Sequence, residues 1–302
     1  MRILVTGGTN GMGKGVAKVL ASMDHQKHEI IILGRSLRLG ESVLEELRDL
    51  TGNQHLSFVP CDLAKLSDVK KAIAEIQEKY TWLDGIFINA GLGYAPGRVE
   101  TEDGMDPHFQ VNYLSQFMLV LNLLTLLENS ESGGRIIFNV TQGGEIRWDD
   151  MQMKNKWHYE TGVHQSMVAK RMLLLQLHQL SRKVSASKLS FVGFQIAQTV
   201  WSNQIHIIPA PMRIMATVMK WLGMFISIEQ CGEIMAPLFT ESQEDSLRRS
   251  GKMITWKKNQ FIELDEVSHV VNQDLRNRLW DMSLALCADG KTSQIAREMT
   301  GD

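Results

Sequence analysis

The chain has 302 residues, 44% hydrophobic and 22% charged, with a formal net charge of −2 and a pI near 6.5. That is ordinary globular composition with ample length for a large core, and the lack of any basic run excludes the electrostatic footprint of a nucleic-acid binder. Three cysteines, Cys61, Cys231 and Cys287, stand far apart and odd in number, so no disulfide framework or metal site follows from them and a reducing compartment is expected.

In chain order, apolar runs of strand length alternate with helical patterns. "RILVT" (Arg2 to Thr6) ends in glycines and leads into "GKGVAKVLASM", which has helical spacing. "EIIILG" (Glu29 to Gly34) precedes a charged helix from about Leu37 to Leu50, and "HLSFVP" (His55 to Pro60) precedes "VKKAIAEIQEKY". "DGIFIN" (Asp84 to Asn89), "RIIFNV" (Arg135 to Val140) and "LSFVGFQI" (Leu189 to Ile196) are the fourth to sixth runs. Buried runs separated by helices predict βαβ units. The expected fold is α/β, one doubly wound, Rossmann-type parallel sheet with helices on both faces. No linker or low-complexity stretch divides the chain, so residues 1–302 are expected to form a single dinucleotide-binding catalytic domain. A first strand at the N-terminal residue leaves no room for a signal peptide. No apolar run reaches the roughly 18 residues of a membrane span. A free cytoplasmic protein without a membrane span is the expectation.

"TGGTNGMG" (Thr6 to Gly13) lies between the first strand and the first helix, and that context gives the glycine cluster its meaning. Glycines permit a tight turn and close approach to a pyrophosphate, and the helix N-terminus offers free N–H groups. Gly7, Thr9, Asn10, Gly11, Met12 and Gly13 are the candidate contacts; the competing reading is a plain glycine-rich turn. The second run ends in "LGRS", where a dinucleotide site usually places an acid for the ribose 2′-OH. Arg35 stands there instead. A guanidinium suits a 2′-phosphate, which favours NADP over NAD; a solvated surface arginine is the alternative.

The spacing Thr-Gly-x-x-x-Gly-x-Gly resembles the short-chain dehydrogenase/reductase family, and further marks follow in order. "CDL" resembles the family's adenine-contacting Asp-Leu and implicates Asp62 and Leu63. "NAG" implicates Asn89, Ala90 and Gly91. "FQVNYLSQF" resembles the segment with the family's active-site asparagine, here Asn112. "EQCGE", "SGKMI" and "RLWDMSLAL" resemble the tail of the retinol-dehydrogenase-like branch. One departure concerns NADP: members that prefer it often carry a basic residue where Asn10 stands.

The resemblance implies a catalytic set of tyrosine, lysine, serine or threonine, and asparagine. The tyrosine exchanges the proton while hydride moves between nicotinamide C4 and a carbonyl carbon. Lys170 fits the lysine, which holds the ribose and lowers the tyrosine pKa. Four residues earlier, in "SMVAK", the tyrosine's place is taken by Ser166. Residues i and i+4 share a helix face, but an alkyl alcohol is far less acidic than a phenol with pKa ~10. Tyr159 lies about 16 Å of rise from Lys170 if one helix contains both. If "WHYETG" is a loop, which Gly162 would permit, Tyr159, His158 or His164 could fold back. Thr141 is the candidate for the family's serine, with Gln142 as the alternative alignment. The usual Pro-Gly after the sixth strand is replaced by "QIAQTVWSN".

"IIPAPMRIMATVMKWLGMFISI" follows, where the family has its substrate lid, expected at about 204–228. Met212, Met215, Met219, Met224, Trp221 and Phe225 make an adaptable apolar surface. Trp148 and Trp157 lie in the other flanking loop. A lipophilic substrate is one reading; core, dimer contact or a membrane-surface helix are others. "LSQFMLVLNLLTLL" and "MLLLQLHQL" match the family's homodimer helices, or are core. No metal site is expected.

The sequence therefore predicts an NADP(H)-dependent oxidoreductase acting on a carbonyl or alcohol of an apolar small molecule, with Asn112, Thr141, Ser166 and Lys170 at the altered site. A cyclase or isomerase on the same fold, and a dinucleotide-binding sensor without turnover, are the alternatives.

Overall fold

The computed structural model describes residues 1–23, 28–183, 187–201, 210–221 and 225–301. Among them, eight strands form one sheet: β1 (Arg2–Thr6), β2 (Glu29–Gly34), β3 (Leu56–Pro60), β4 (Gly85–Ile88), β5 (Arg135–Asn139), β6 (Ser190–Gln195), β9 (Lys252–Lys257) and β10 (Gln260–Leu264). Their order is β10-β9-β6-β5-β4-β1-β2-β3. All pairings are parallel except the β9–β10 hairpin at one edge. This is the doubly wound sheet that alternating apolar runs and helices predict, lengthened by a hairpin. β7 (Thr199–Val200) and β8 (Phe225–Ile226) form a separate short parallel pair.

The central strands are buried on both faces because βαβ crossovers place helices on each side. Ile3, Leu4 and Val5 of β1 and Ile30, Ile31, Ile32 and Leu33 of β2 are fully buried. On one face lie α1 (Gly11–Ser22), α2 (Leu37–Thr51) and α8 (Ile228–Met235). Sequence punctuation ends α2 at both sides: Ser36 caps its start by accepting from Leu39 N–H, and Gly52 in the left-handed region closes it, as capping chemistry requires.

The other face carries α3 (Leu66–Lys79), α5 (Ser115–Glu128) and α6 (Tyr159–Ser181). The short α4 (Pro107–Phe109) and one π turn (Gln110–Leu114) run directly into α5. This continuous segment, Pro107–Glu128, is long and apolar enough to cross a membrane by length and composition alone, and 94% of its most apolar window is buried within the protein. It is a core helix by placement. Twelve of the fourteen residues of α5 are buried. Burial of one leucine or phenylalanine contributes about 1.5–3 kcal/mol, so α5 anchors this half of the core.

After the short helices α9 (Pro237–Thr240), α10 (Gln243–Arg249) and α11 (Ser268–Val271), the cover over α5 comes from α12 (Gln273–Cys287) and α13 (Gly290–Thr300). Phe117 packs edge-to-face on Trp280 at 5.3 Å. Tyr113 Oη lies 2.7 Å from Ser283 Oγ, and Asn122 Nδ2 donates to Thr292 Oγ1 at 2.8 Å. The chain's own C-terminal helices cover apolar surface of α5 and α6, which agrees with the core alternative for these two helices.

Candidate functional site

The residues predicted to hold a cofactor converge at the C-terminal edge of β1, β2, β3 and β4. Chain order reverses between β1 and β4 in this sheet, the kind of switch point where α/β sheets bind ligands. Thr6, at the end of β1, ties the two strands together. Its Oγ1 donates to Phe87 O at 3.0 Å and accepts the N–H groups of Asn89 and Ala90 at 2.9 and 3.0 Å. Asn89 Nδ2 donates to Thr6 O at 3.1 Å. Gly7 has φ +68 and Gly11 φ +54, conformations that disfavour a side chain. A β-carbon on Gly13 would lie 2.5 Å from Gly7 O and 2.7 Å from Asn89 Nδ2, so only glycine lets α1 begin this close to the β1 turn. Asn10 caps α1 with its side chain, accepting from Gly11 N–H at 2.7 Å.

The other predicted contacts fall on the same edge. Thr9 and Met12 are half-buried in the turn and first helical residues, and Arg35 is exposed just past β2. Asp62 Oδ1 accepts from Ala64 N–H at 3.0 Å, and the Leu63 carbonyl accepts from Ser115 Oγ at 2.6 Å. Gly91 faces Asn112, whose Oδ1 would be 3.2 Å from a β-carbon there. A tight glycine turn, an open helix N-terminus and a cation at the tip of β2 fit the pyrophosphate and ribose of a nicotinamide dinucleotide.

The π turn and α6 bring the predicted catalytic residues together. Asn112 sits in the middle of the π turn, a backbone irregularity frequent at functional sites. Its Oδ1 accepts from Leu92 N–H at 2.6 Å, and its Nδ2 donates to Leu92 O at 3.0 Å and to Ser166 Oγ at 3.1 Å. Ser166 is fully buried and donates its own proton to Val163 O at 2.8 Å. Lys170, one turn further along α6, is 1% exposed. Its Nζ reaches Asn139 O, at the end of β5, at 3.5 Å. No carboxylate among the described residues pairs with it, and burial alone lowers its pKa from 10.5 to about 7.

Thr141, two residues past β5, is exposed on this edge, and its carbonyl accepts from Arg171 Nη1 at 3.0 Å. The alternative, Gln142, is turned to other work: its N–H donates to Gln195 Oε1 at 2.8 Å and its side chain donates to Asp265 O at 3.3 Å. Of the two conformations open to "WHYETG", the structure has the helical one from Tyr159 onward. α6 begins at Tyr159, so Tyr159 lies on the same helix as Lys170 and about 16 Å of rise away. Gly162 is helical and serves close packing instead: a β-carbon there would be 2.9 Å from the His108 ring and 2.7 Å from the Met153 methyl. Tyr159 stacks on His158 and packs edge-to-face on Tyr94. His164 is exposed.

Two residues of consequence are missing from the sequence reading. Thr6 is legible only once β1 and β4 are neighbours. Arg171, beside Lys170, is 1% exposed and pairs with Glu266, Nη2 to Oε2 at 2.9 Å. It also donates to Thr141 O and Gly143 O. Arg171 thereby locks the loop after β5 to the segment after β10. Two adjacent charges inside the apolar "AKRMLLL" were the available signal. Of the expected lid at 204–228, residues 204–209 and 222–224, including Met224, lie outside the described residues, as does the Met212 side chain. What is described is α7 (Ala210–Trp221), exposed on much of its apolar surface, and Phe225 in β8. Trp148 packs on the core with Arg278 4.6 Å above its ring.

With a switch-point sheet, a glycine cradle and a buried lysine on α6, the class defined is a dinucleotide-binding α/β protein. The model of the family described as short chain dehydrogenase matches residues 1–153, and the chain belongs to that family. Human polyprenol dehydrogenase is 31% identical over 189 residues, covering 61% of this chain and 55% of that protein. Human retinol dehydrogenase 13 is 32% identical, with the same 61% and 55% coverage. The matched stretch thus spans about half the length of these relatives. A solved Shigella flexneri protein described as a short chain dehydrogenase complexed with NADP superposes with TM-score 0.60 at 22% identity, over 84% of this chain and 95% of that one. The family match ends just before α6, which carries Ser166 and Lys170.

Proposed function

We propose that this chain is an NADP(H)-dependent oxidoreductase interconverting the carbonyl and alcohol of a lipophilic small molecule, within a single catalytic domain whose lid includes α7. The observation that carries it is Lys170, buried with no carboxylate partner among the described residues, at the strand edge where the glycine turn lies. A buried cation is costly unless an acceptor joins it, and ribose hydroxyls are acceptors. Relatives named for polyprenol and retinol support the lipophilic substrate. Cys61, Cys231 and Cys287 are free and buried, which supports the cytoplasm as compartment.

The bound nicotinamide would exchange hydride with the carbonyl carbon. The chain's own residues govern position and the proton. Ser166 stands where the family's tyrosine would, and it is a poor donor: its hydrogen is committed to Val163 O. Asn112 holds Ser166 and the Leu92 backbone, which makes it a positioning residue. Lys170, with a pKa of about 7, is the group suited to give a proton to the nascent alkoxide during reduction, and to take it back during oxidation. Thr141 lies on the same edge to orient the substrate oxygen.

The direct test mixes the protein with NADPH and a series of apolar ketones and aldehydes. Loss of NADPH absorbance with alcohol formation is expected. Substrate conversion without that loss would overturn the redox reading in favour of a cyclase or isomerase. Binding without conversion would favour a dinucleotide sensor, the second reading, which the mutual engagement of Asn112 and Ser166 supports. For the cofactor, NADPH should bind more tightly than NADH. A charge-assisted contact from Arg35 contributes about 1.5–3 kcal/mol, roughly a 10- to 100-fold preference. Titration of both cofactors should show this preference collapsing in Arg35→Ala; equal affinities in the wild type would remove NADP specificity.

A further inference from the structure

The amphipathic helix α7 has its apolar side turned outward. Ile214 is 66% exposed, Met215 59%, Val218 53% and Trp221 88%. At 100° per residue these four fall on one arc of the helix, whereas Ala216 and Met219, the half-buried residues, lie on the other side. Isolated exposed apolar residues are ordinary, but a contiguous stripe ending in a tryptophan is not.

The strands on either side of α7 pair with each other, and no described residue covers the outer stripe of the helix. The chain leaves the C-terminal end of β6, on the same sheet edge as Lys170 and the glycine cradle. It returns through β8, whose pairing with β7 closes the arm: Thr199 opposes Phe225 and Val200 opposes Ile226. Trp201 N–H donates to Ile226 O at 3.0 Å, and the Trp201 and Phe225 rings meet edge-to-face at 5.3 Å. α8 then packs on α1, with Lys18 Nζ 3.0 Å from Glu229. The arm is therefore rooted beside the site.

Charge indicates what covers the stripe. Residues 196–228 contain Arg213 and Lys220 and no Asp or Glu. The acid-free stretch extends back to residue 161, in a chain whose net charge is −2. Arg213 is exposed on α7. An outward apolar stripe, a terminal tryptophan, basic residues and no acids are the composition of a helix that lies in the plane of a membrane interface, where anionic lipid attracts the cations.

We infer that α7 seats the protein on an anionic lipid surface, with Ile214, Met215, Val218 and Trp221 in the acyl boundary, so that a lipophilic substrate reaches the site from the bilayer. The purpose rests on the function proposed above; the membrane contact rests on α7 alone.

Flotation of the full chain with phosphatidylcholine vesicles, with and without phosphatidylserine, tests it. The wild type should float with the phosphatidylserine vesicles and much less with phosphatidylcholine alone. Ile214→Ser/Val218→Ser should lower the partition coefficient about tenfold or more, and Arg213→Gln should lower it only on the anionic vesicles. NADPH binding at the wild-type level shows that each variant is folded, and Trp221→Ser provides a second disruption of the same face. Three results would overturn the inference: a wild type that stays at the bottom with both vesicles, variants that float as well as the wild type, or a wild-type dimer that the serine variant dissociates, which assigns the stripe to a second copy. Flotation without any reductase activity would instead leave the membrane contact standing and remove the oxidoreductase reading.

Discussion

Lys170→Met should raise the thermal midpoint of the cofactor-free protein at pH 7 and weaken NADPH binding in the same step. The lysine is 1% exposed, and burial lowers its pKa from 10.5 to about 7. Between pH 7 and about 10.5 the unfolded chain binds a proton that the native chain does not. Stability therefore rises with pH across that window, and below it the folded state carries the full penalty of a desolvated charge. Methionine keeps most of the stem and removes the charge, which should stabilise the native state by a few kcal/mol at pH 7, with the gap closing towards pH 10.5. NADPH binding should fall about 10- to 100-fold, because a charged hydrogen bond contributes roughly 1.5–3 kcal/mol. If Lys170 also gives the proton in reduction, the wild-type reductive rate should decline as pH rises through about 7, and no such titration should remain in the variant. Calorimetry at several pH values and an NADPH titration read both effects. A variant less stable than the wild type at pH 7 with unchanged NADPH affinity would show that Lys170 has some other role.

Ser166→Tyr should create or raise reductase activity on apolar ketones by ~10²–10⁴-fold, the usual contribution of a positioned general acid. The new phenol would stand one helical turn from Lys170, on the face of α6 that already meets Asn112. Phenolate and ammonium would each favour the other's charged form. The obstacle is space. Ser166 is fully buried and hydrogen-bonded to both Asn112 and Val163, so the ring must displace neighbours, and overpacking typically costs about 1–3 kcal/mol. Circular dichroism and NADPH binding establish first that the variant folds. A folded, NADPH-binding variant with wild-type turnover across several ketones would mean that the tyrosine is not the only change at this site.

The candidate cofactor half could be read as a local motif because its signals are contiguous. A β-rich run, a glycine turn and a helix start occupy one contiguous stretch, and the steric reasons for Gly7 and Gly13 act within a few residues of each other. Arg35 could be placed because it directly follows β2. The chemical half was only partly readable. The i, i+4 relation of Ser166 and Lys170 is a helical fact, but whether α6 already included Tyr159 could not be settled from composition. Gly162 permitted a loop; it is helical, and His108, 54 positions away, and Met153 press against it.

Local pattern by itself determined the α/β alternation, six of the eight strands of the main sheet, the glycine turn after β1 and the placement of Lys170 on a helix. The β9–β10 hairpin went unread as strands, since neither run is buried throughout. Only the tertiary structure decided that Thr6 joins the ends of β1 and β4, that Arg171 meets Glu266 across 95 positions, and that α12 and α13 cover α5. It also left α7 with its apolar side outward. Periodicity shows that a helix has an apolar face, but what that face meets depends on surfaces that distant segments bring together.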